Sequence, residues 1–185
     1  MTPGRLTLAV LAGALLAGCA AAPVRTRPDG SPLDTLVRLS VPFFPDDSDQ
    51  CGPSALAGVL TYWGKPVSPA ELRGEIYRSR LKGALTIDLL LAAQDRGFSA
   101  EMAEGGLESV RLELDAGRPV IAFVDVGVTL LPIGHYLVIT GYDDARRRLF
   151  AHSGMNRDQE IPYERFRRQW KAAGRWALLI RPGAR

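Results

Sequence analysis

Apolar positions change their spacing along this chain, and the changes divide it into zones. Residues 6–16 form a short apolar run behind a single Arg5. Further on, apolar residues recur at helical spacing. Leu56, Val59, Leu60 and Trp63 predict a helix over 54–63 that Gly64 ends. Ser68-Pro69-Ala70-Glu71 is a capping box with Pro at the first helical position, and it predicts a helix reaching about Arg80. Residues 86–95 and 107–116 predict two more helices, stopped by Gly97 and Gly117. Beyond Pro119 the pattern becomes that of strands. Residues 119–126 and 135–140 are nearly continuous apolar runs, as in buried strands. Gly141-Tyr142-Asp143-Asp144 is a turn, and 148–152 pairs back across it as a hairpin. Residues 162–170 predict a short helix, 176–180 a closing strand, and 37–44 an extended entry. With helices first and antiparallel strands second, the layout is α+β, an N-terminal helical lobe packed on an antiparallel sheet.

The first apolar run is too short to span a bilayer, which takes about 20 residues. It closes on Leu16-Ala17-Gly18-Cys19, small residues leading into a cysteine, which resembles the lipobox of bacterial lipoproteins. That resemblance implies a signal peptide over 1–18 and acylation of Cys19. Ala20 follows where an Asp would imply retention in the inner membrane, so the implied location is the outer membrane, facing the periplasm. Residues 20–33 hold three prolines and few apolar side chains. Residues 19–35 therefore read as an acylated cysteine with a flexible tether, and 36–185 as the folded domain.

Composition narrows the class. Apolar residues make up 46% of the 185 and charged residues 23%, an ordinary globular balance that excludes a disordered or disulfide-stapled chain. The formal net charge is only +3, so nucleic acid is not an expected partner. With Cys19 acylated, Cys51 is the one remaining thiol.

Cys51 stands where the polar loop 46–50 meets a helix. Unpaired N–H groups and the helix dipole there favour thiolate over thiol, and thiolate is the nucleophile. The Cys51 N–H is placed to serve as one oxyanion donor. A thiol nucleophile needs a proton partner. Of the two histidines, His135 opens an apolar strand, where an imidazole is costly without a role, and its ordinary pKa suits general base and acid work. No paired-ligand spacing surrounds Cys51, His135 and His152, so neither metal nor cofactor is expected.

Gln50-Cys51-Gly52-Pro53-Ser54-Ala55-Leu56 and Gly134-His135-Tyr136-Leu137-Val138-Ile139-Thr140-Gly141-Tyr142-Asp143 together resemble the bacteriocin-processing cysteine peptidases, the papain-like domains that cut double-glycine leader peptides, and their freestanding relatives. The resemblance runs from about Val41 to His152. It implies a papain-like fold with Cys51 as nucleophile and His135 on a facing strand. Two positions depart from the family's pattern. Where the family has an oxyanion Gln, this chain has Pro45 and Asp46, which leaves Gln50 as the nearest substitute. Where the family has an Asp that orients the histidine, this chain has Phe150-Ala151-His152-Ser153-Gly154. His152 is the expected orienter, ahead of Asp125 and Asn156.

The expected function is thus a lipid-anchored envelope cysteine peptidase acting on a peptide or protein in the periplasm. A murein peptide endopeptidase or acyl transferase on the same fold is a second expectation. A degenerate lipoprotein that binds a peptide without cutting it is a third, since the upstream Gln is absent.

Overall fold

The computed structural model describes residues 35–46, 49–128 and 130–183. The signal segment, Cys19 and the tether through residue 34 lie outside the described residues. The elements run in the order β1 Leu36–Arg38, α1 Cys51–Tyr62, α2 Pro69–Ile76, β2 Tyr77–Arg78, β3 Gly83–Ala84, α3 Thr86–Gln94, β4 Phe98–Glu104, α4 Leu107–Asp115, β5 Val120–Asp125, β6 Gly134–Asp143, β7 Arg148–Ser153, β8 Asn156–Pro162, α5 Tyr163–Ala172 and β9 Trp176–Pro182.

One seven-stranded sheet has the order β4-β9-β5-β6-β7-β8, with β1 added to the far end of β6. Every strand pairing in it is antiparallel. Helices cover both faces rather than one. On one side Leu56, Val59 and Leu60 of α1, Leu72 of α2 and Leu89 of α3 bury against Tyr136, Val138 and Ile121. On the other, Val110 and Leu114 of α4 and Phe166 and Trp170 of α5 bury against Leu137, Ile139 and Tyr142. Strand β6 feeds alternate residues to the two cores, which is why its sequence is apolar without interruption. A bulge between Ile139 and Gly141 resets the alternation, so Ile139 and Tyr142 face the same core although three residues apart.

The pairing of β1 depends on Gly141. A Cβ there would stand 2.1 Å from the Val37 carbonyl oxygen, because β1 lies directly beside β6 at this residue. Gly141→Ala is expected to lift β1 off β6 and cost about 1–3 kcal/mol, the ordinary penalty of overpacking. Urea unfolding measures it, and an unchanged midpoint would contradict the close approach.

Four elements differ from the sequence expectation. Strand β6 runs on to Asp143, through residues expected as a turn, because β1 and β7 pair with Gly141–Asp143 on its two sides. Helix α2 stops at Ile76, not near Arg80, because Tyr77 turns extended to pair as β2 with β3. Strand β4, Phe98-Ser-Ala-Glu-Met-Ala-Glu, is built largely of residues that favour helix, and its pairing with β9 over seven residues overrides them. Strand β8 is polar almost throughout and is held by β7 along the sheet's edge.

Candidate active site

Cys51 is the first residue of α1 and Gln50 its N-cap, with the Gln50 carbonyl accepting the Ser54 N–H at 3.0 Å. The Gln50 side chain makes no cap bond. The backbone N–H of Tyr136, the residue that follows His135 on β6, is near enough to the thiol to favour its ionised form. The start of α1 and the start of β6 therefore meet. The Tyr136 hydroxyl ties a third element to this corner, lying 2.9 Å from Thr86 Oγ1 and donating to the Ala84 carbonyl at 3.2 Å.

Electrostatics at the thiol differ from the helix-terminus expectation. Burial pushes the Cys51 thiol above its ordinary value of 9.0, the Asp46 carboxylate adds to that shift, and N–H groups of Tyr136, Gly52 and Cys51 itself oppose it. Desolvation of the anion outweighs the donors, so the resting group is a thiol. The His135 imidazole moves the other way. Burial lowers it below 6.5, and the Asp46 carboxylate opposes the shift. Asp46 thus acts on both groups. It is itself buried, and its N–H donates to the Gly154 carbonyl at 3.1 Å. Asp46 shares with Cys51, Ser54, Tyr136, His152 and Ser153 the wall of a cavity of about 20 Å³. That is room for about one water.

His135 Nε2 lies 2.9 Å from Ser153 Oγ. His152, the expected orienter, is engaged elsewhere on both nitrogens. Its Nε2–H donates to the Val41 carbonyl at 2.9 Å, and its Nδ1 accepts the Asp158 N–H at 3.2 Å. Parity along β7 is the reason. Val138 pairs with His152, so His152 shares the face of Val138 and Tyr136, while Ser153 falls on the face of His135 and Leu137. Strand alternation held this signal once the register was known. Asp125 does not reach the ring either, because its Oδ1 accepts the N–H groups of Gly127 and Ile133, both at 2.9 Å. Asn156 pairs with Ser153 across the β7–β8 turn and lines a second cavity, beside His135. Among the described residues no cluster of three or more His, Cys, Asp or Glu could hold a metal ion.

His152 instead holds the segment carrying Asp46 against the sheet, with Phe43 packed on its ring at 5.1 Å. His152→Ala leaves the Val41 carbonyl and the Asp158 N–H without their partner, and the expected cost is about 1–3 kcal/mol. Chemical denaturation reads that loss, and the pH profile of any activity should keep its midpoints. A moved acid limb would instead make His152 part of the proton chemistry.

The Peptidase_C39 like family matches residues 38–178 of this chain. Among solved structures, a putative C39-like peptidase from Bacillus anthracis is 20% identical with a TM-score of 0.67, over 82% of this chain and 100% of that one. A double glycine motif protease from an AMS/PCAT transporter, solved with its leader peptide, is 22% identical with a TM-score of 0.62, over 79% and 94%. The peptidase domain of Streptococcus ComA, a bi-functional ABC transporter of a quorum sensing pathway, is 24% identical with a TM-score of 0.60, over 80% and 98%. An uncharacterized protein of Methanothermobacter marburgensis is 39% identical over 108 residues, which is 58% of this chain and 67% of that protein. A fold shared across these peptidase domains, and a family match that spans both the Cys51 helix and the His135 strand, make this chain a member of the Peptidase_C39 like family, with a papain-like cysteine peptidase-type domain.

Proposed function

We propose that the domain cleaves peptide bonds through Cys51 and His135. The observation that carries this reading is the meeting of the Cys51 sulfur with the Tyr136 N–H, one residue from a histidine whose Nε2 is held by Ser153. With Nε2 held by Ser153, Nδ1 is the ring atom left to take the thiol proton, and it does so when the ring, at the end of β6, swings round to the Cys51 face. The sulfur then attacks the substrate carbonyl and its oxygen becomes negative. As the C–N bond breaks, His135 gives the proton to the leaving amine. A water, deprotonated in turn by His135, hydrolyses the thioester and frees the second product. The Cys51 N–H is the backbone donor for the oxyanion, and Ser153 positions the ring without supplying charge.

The Asp46 carboxylate stands against a developing oxyanion. It favours a slow enzyme over a fast one, and it is the observation behind the alternative of a peptide-binding domain that does not cut. We infer further that Cys19 is acylated and that the mature chain is held at the outer membrane. The lipobox supports this, and no described helix is long and apolar enough to cross a membrane.

Incubating the mature chain with a mixture of peptides, and separately with purified sacculi, tests the activity by mass spectrometry of new termini. New termini in the peptide mixture support the peptidase. Products from sacculi alone point to a murein endopeptidase, and no products from either support binding without cleavage. The mass of the N-terminal fragment from cells tests the acyl group directly.

A further inference from the structure

The connection between β5 and β6 carries the most exposed apolar side chains of the described chain. Leu130 is 89% exposed, Leu131 70% and Val128 67%, with Val126 and Ile133 exposed behind them. No charged residue stands between Asp125 and His135. This is a built projection, not a loose loop. The Val128 N–H donates to the Leu131 carbonyl at 3.2 Å, the Leu131 N–H to the Val128 carbonyl at 2.8 Å, and the Val126 N–H to the Ile133 carbonyl at 2.9 Å. Asp125 Oδ1 pins both legs through the N–H groups of Gly127 and Ile133. The legs close so tightly that a Cβ on Gly127 would stand 2.1 Å from the Leu131 carbonyl oxygen. Five backbone N–H groups of the two legs are bonded within the hairpin while the leucines stand in water, an arrangement with an unfavourable hydration cost until something covers it.

Other exposed apolar residues gather at the same end of the molecule. Leu81 lies between exposed Arg80 and Lys82 on the β2–β3 turn, and Leu85 and Ile87 follow it. Met155 lies on the β7–β8 turn. Ala84 contacts Tyr136, and Gly154 contacts Asp46, so both turns rim the corner that holds Cys51 and His135.

The shape and charge of this rim select its occupant. A peptide is held in a groove or along a strand edge, but Leu130 has almost all its surface in solvent. Protruding apolar side chains with flanking cations suit the headgroup boundary of an anionic bilayer. The chain outside the described residues allows the approach. Fifteen residues separate Cys19 from Thr35, sixteen steps with a contour of up to about 55 Å. Strand β1 leaves the sheet beside Asp143, eight residues along β6 from His135, or about 27 Å. A chain anchored at Cys19 can therefore bring the opposite end of the domain down to the same membrane.

We propose that the exposed apolar side chains of residues 126–128 and 130–133, together with the Arg80-Leu81-Lys82 turn, dock on an anionic phospholipid surface and hold the Cys51 cleft against the bilayer. The proposal takes its setting from the lipid-anchored reading. It makes the substrate a polypeptide cut close to the membrane surface.

The test uses the mature chain from residue 19 with Cys19→Ser, so that no acyl group contributes, and vesicles of phosphatidylethanolamine and phosphatidylglycerol. The chain should sediment with these vesicles, and Leu130→Ser/Leu131→Ser should lower its partition coefficient at least about tenfold, since burying one leucine is worth roughly that factor or more. Cleavage of a soluble peptide should not change in that variant. Arg80→Gln/Lys82→Gln should weaken binding to the anionic vesicles at low salt only. In Leu131→Trp, the added indole should shift its emission to the blue and be quenched by brominated lipid. The absence of vesicle binding, or equal binding by the double serine variant, overturns the proposal. Self-association that depends on Leu130 and Leu131 without vesicle binding also overturns it, and assigns the hairpin to a second copy. Vesicle binding by a chain whose Cys19 proves unacylated in cells refutes the anchor and leaves the hairpin's role standing.

Discussion

Replacing Cys51 with Ala or Ser should reduce peptide cleavage at least about 10⁴-fold, because the sulfur is the atom that attacks and no other described group replaces it. His135→Ala should fall by a comparable factor, and the double variant should lose little more, since the two residues act as a unit. The pH profile follows from the shifts at the two groups. His135 must be neutral to accept the thiol proton, and its burial lowers it below 6.5, so the acid limb of kcat/KM should lie below 6.5. Cleavage should therefore persist in mildly acidic medium. Cys51 is raised above 9.0, so in the absence of substrate its alkylation by iodoacetamide should be slow at pH 7 and rise only as the pH passes that value. Rapid alkylation at pH 6 would contradict a resting thiol and favour a preformed thiolate–imidazolium pair.

The second large effect is expected at Asp46. Asp46→Gln removes a carboxylate from the wall of the cavity beside the thiol and puts a hydrogen-bond donor there. An oxyanion donor is worth about 10²–10³ in kcat, so a gain of at least about tenfold is expected from the substitution. Two consequences for proton affinity accompany it. Loss of the charge lets the Cys51 thiol ionise more easily, and it removes the one effect that raises His135. These act in opposite senses on the ion pair. Asp46→Ala separates the contributions, because it removes the repulsion without adding a donor. Ser153→Asp added to Asp46→Gln would place a carboxylate on the ring's own face, and the pair should exceed either single change. If Asp46→Gln instead abolishes cleavage, the carboxylate is the charge partner of the His135 imidazolium, a role the neutral Ser153 cannot fill.

The contrast between His152 and Ser153 shows how much of this site could be read from the chain. Both residues lay in the stretch where an orienting group was expected, and residue chemistry favoured the histidine. Strand parity decided otherwise, and parity needed the register of β7 against β6. In the same way, the position of Cys51 at a helix start was legible, but the direction of its pKa shift was not. The helix terminus and the burial act in opposite senses, and only packing against Tyr136 and Asp46 says which is larger. Helices α1 and α3 were legible because their apolar spacing and glycine stops are local signals. Strands β4 and β8 were not, because their polar and helix-favouring residues become strands only when β9 and β7 supply the hydrogen bonds.

What the sequence determined by itself is the chemistry on offer: one thiol at a helix start, one imidazole at a strand mouth, in that order, with a carboxylate where an amide was expected. Tertiary structure alone decided which groups meet. It brought the Cys51 sulfur to the residue beside His135, set Ser153 on the imidazole and turned His152 to the opposite face. The physical reason is that residue type and helical periodicity are carried by neighbours in the chain. Burial, strand register and the balance of charges are set by residues dozens to more than a hundred positions away.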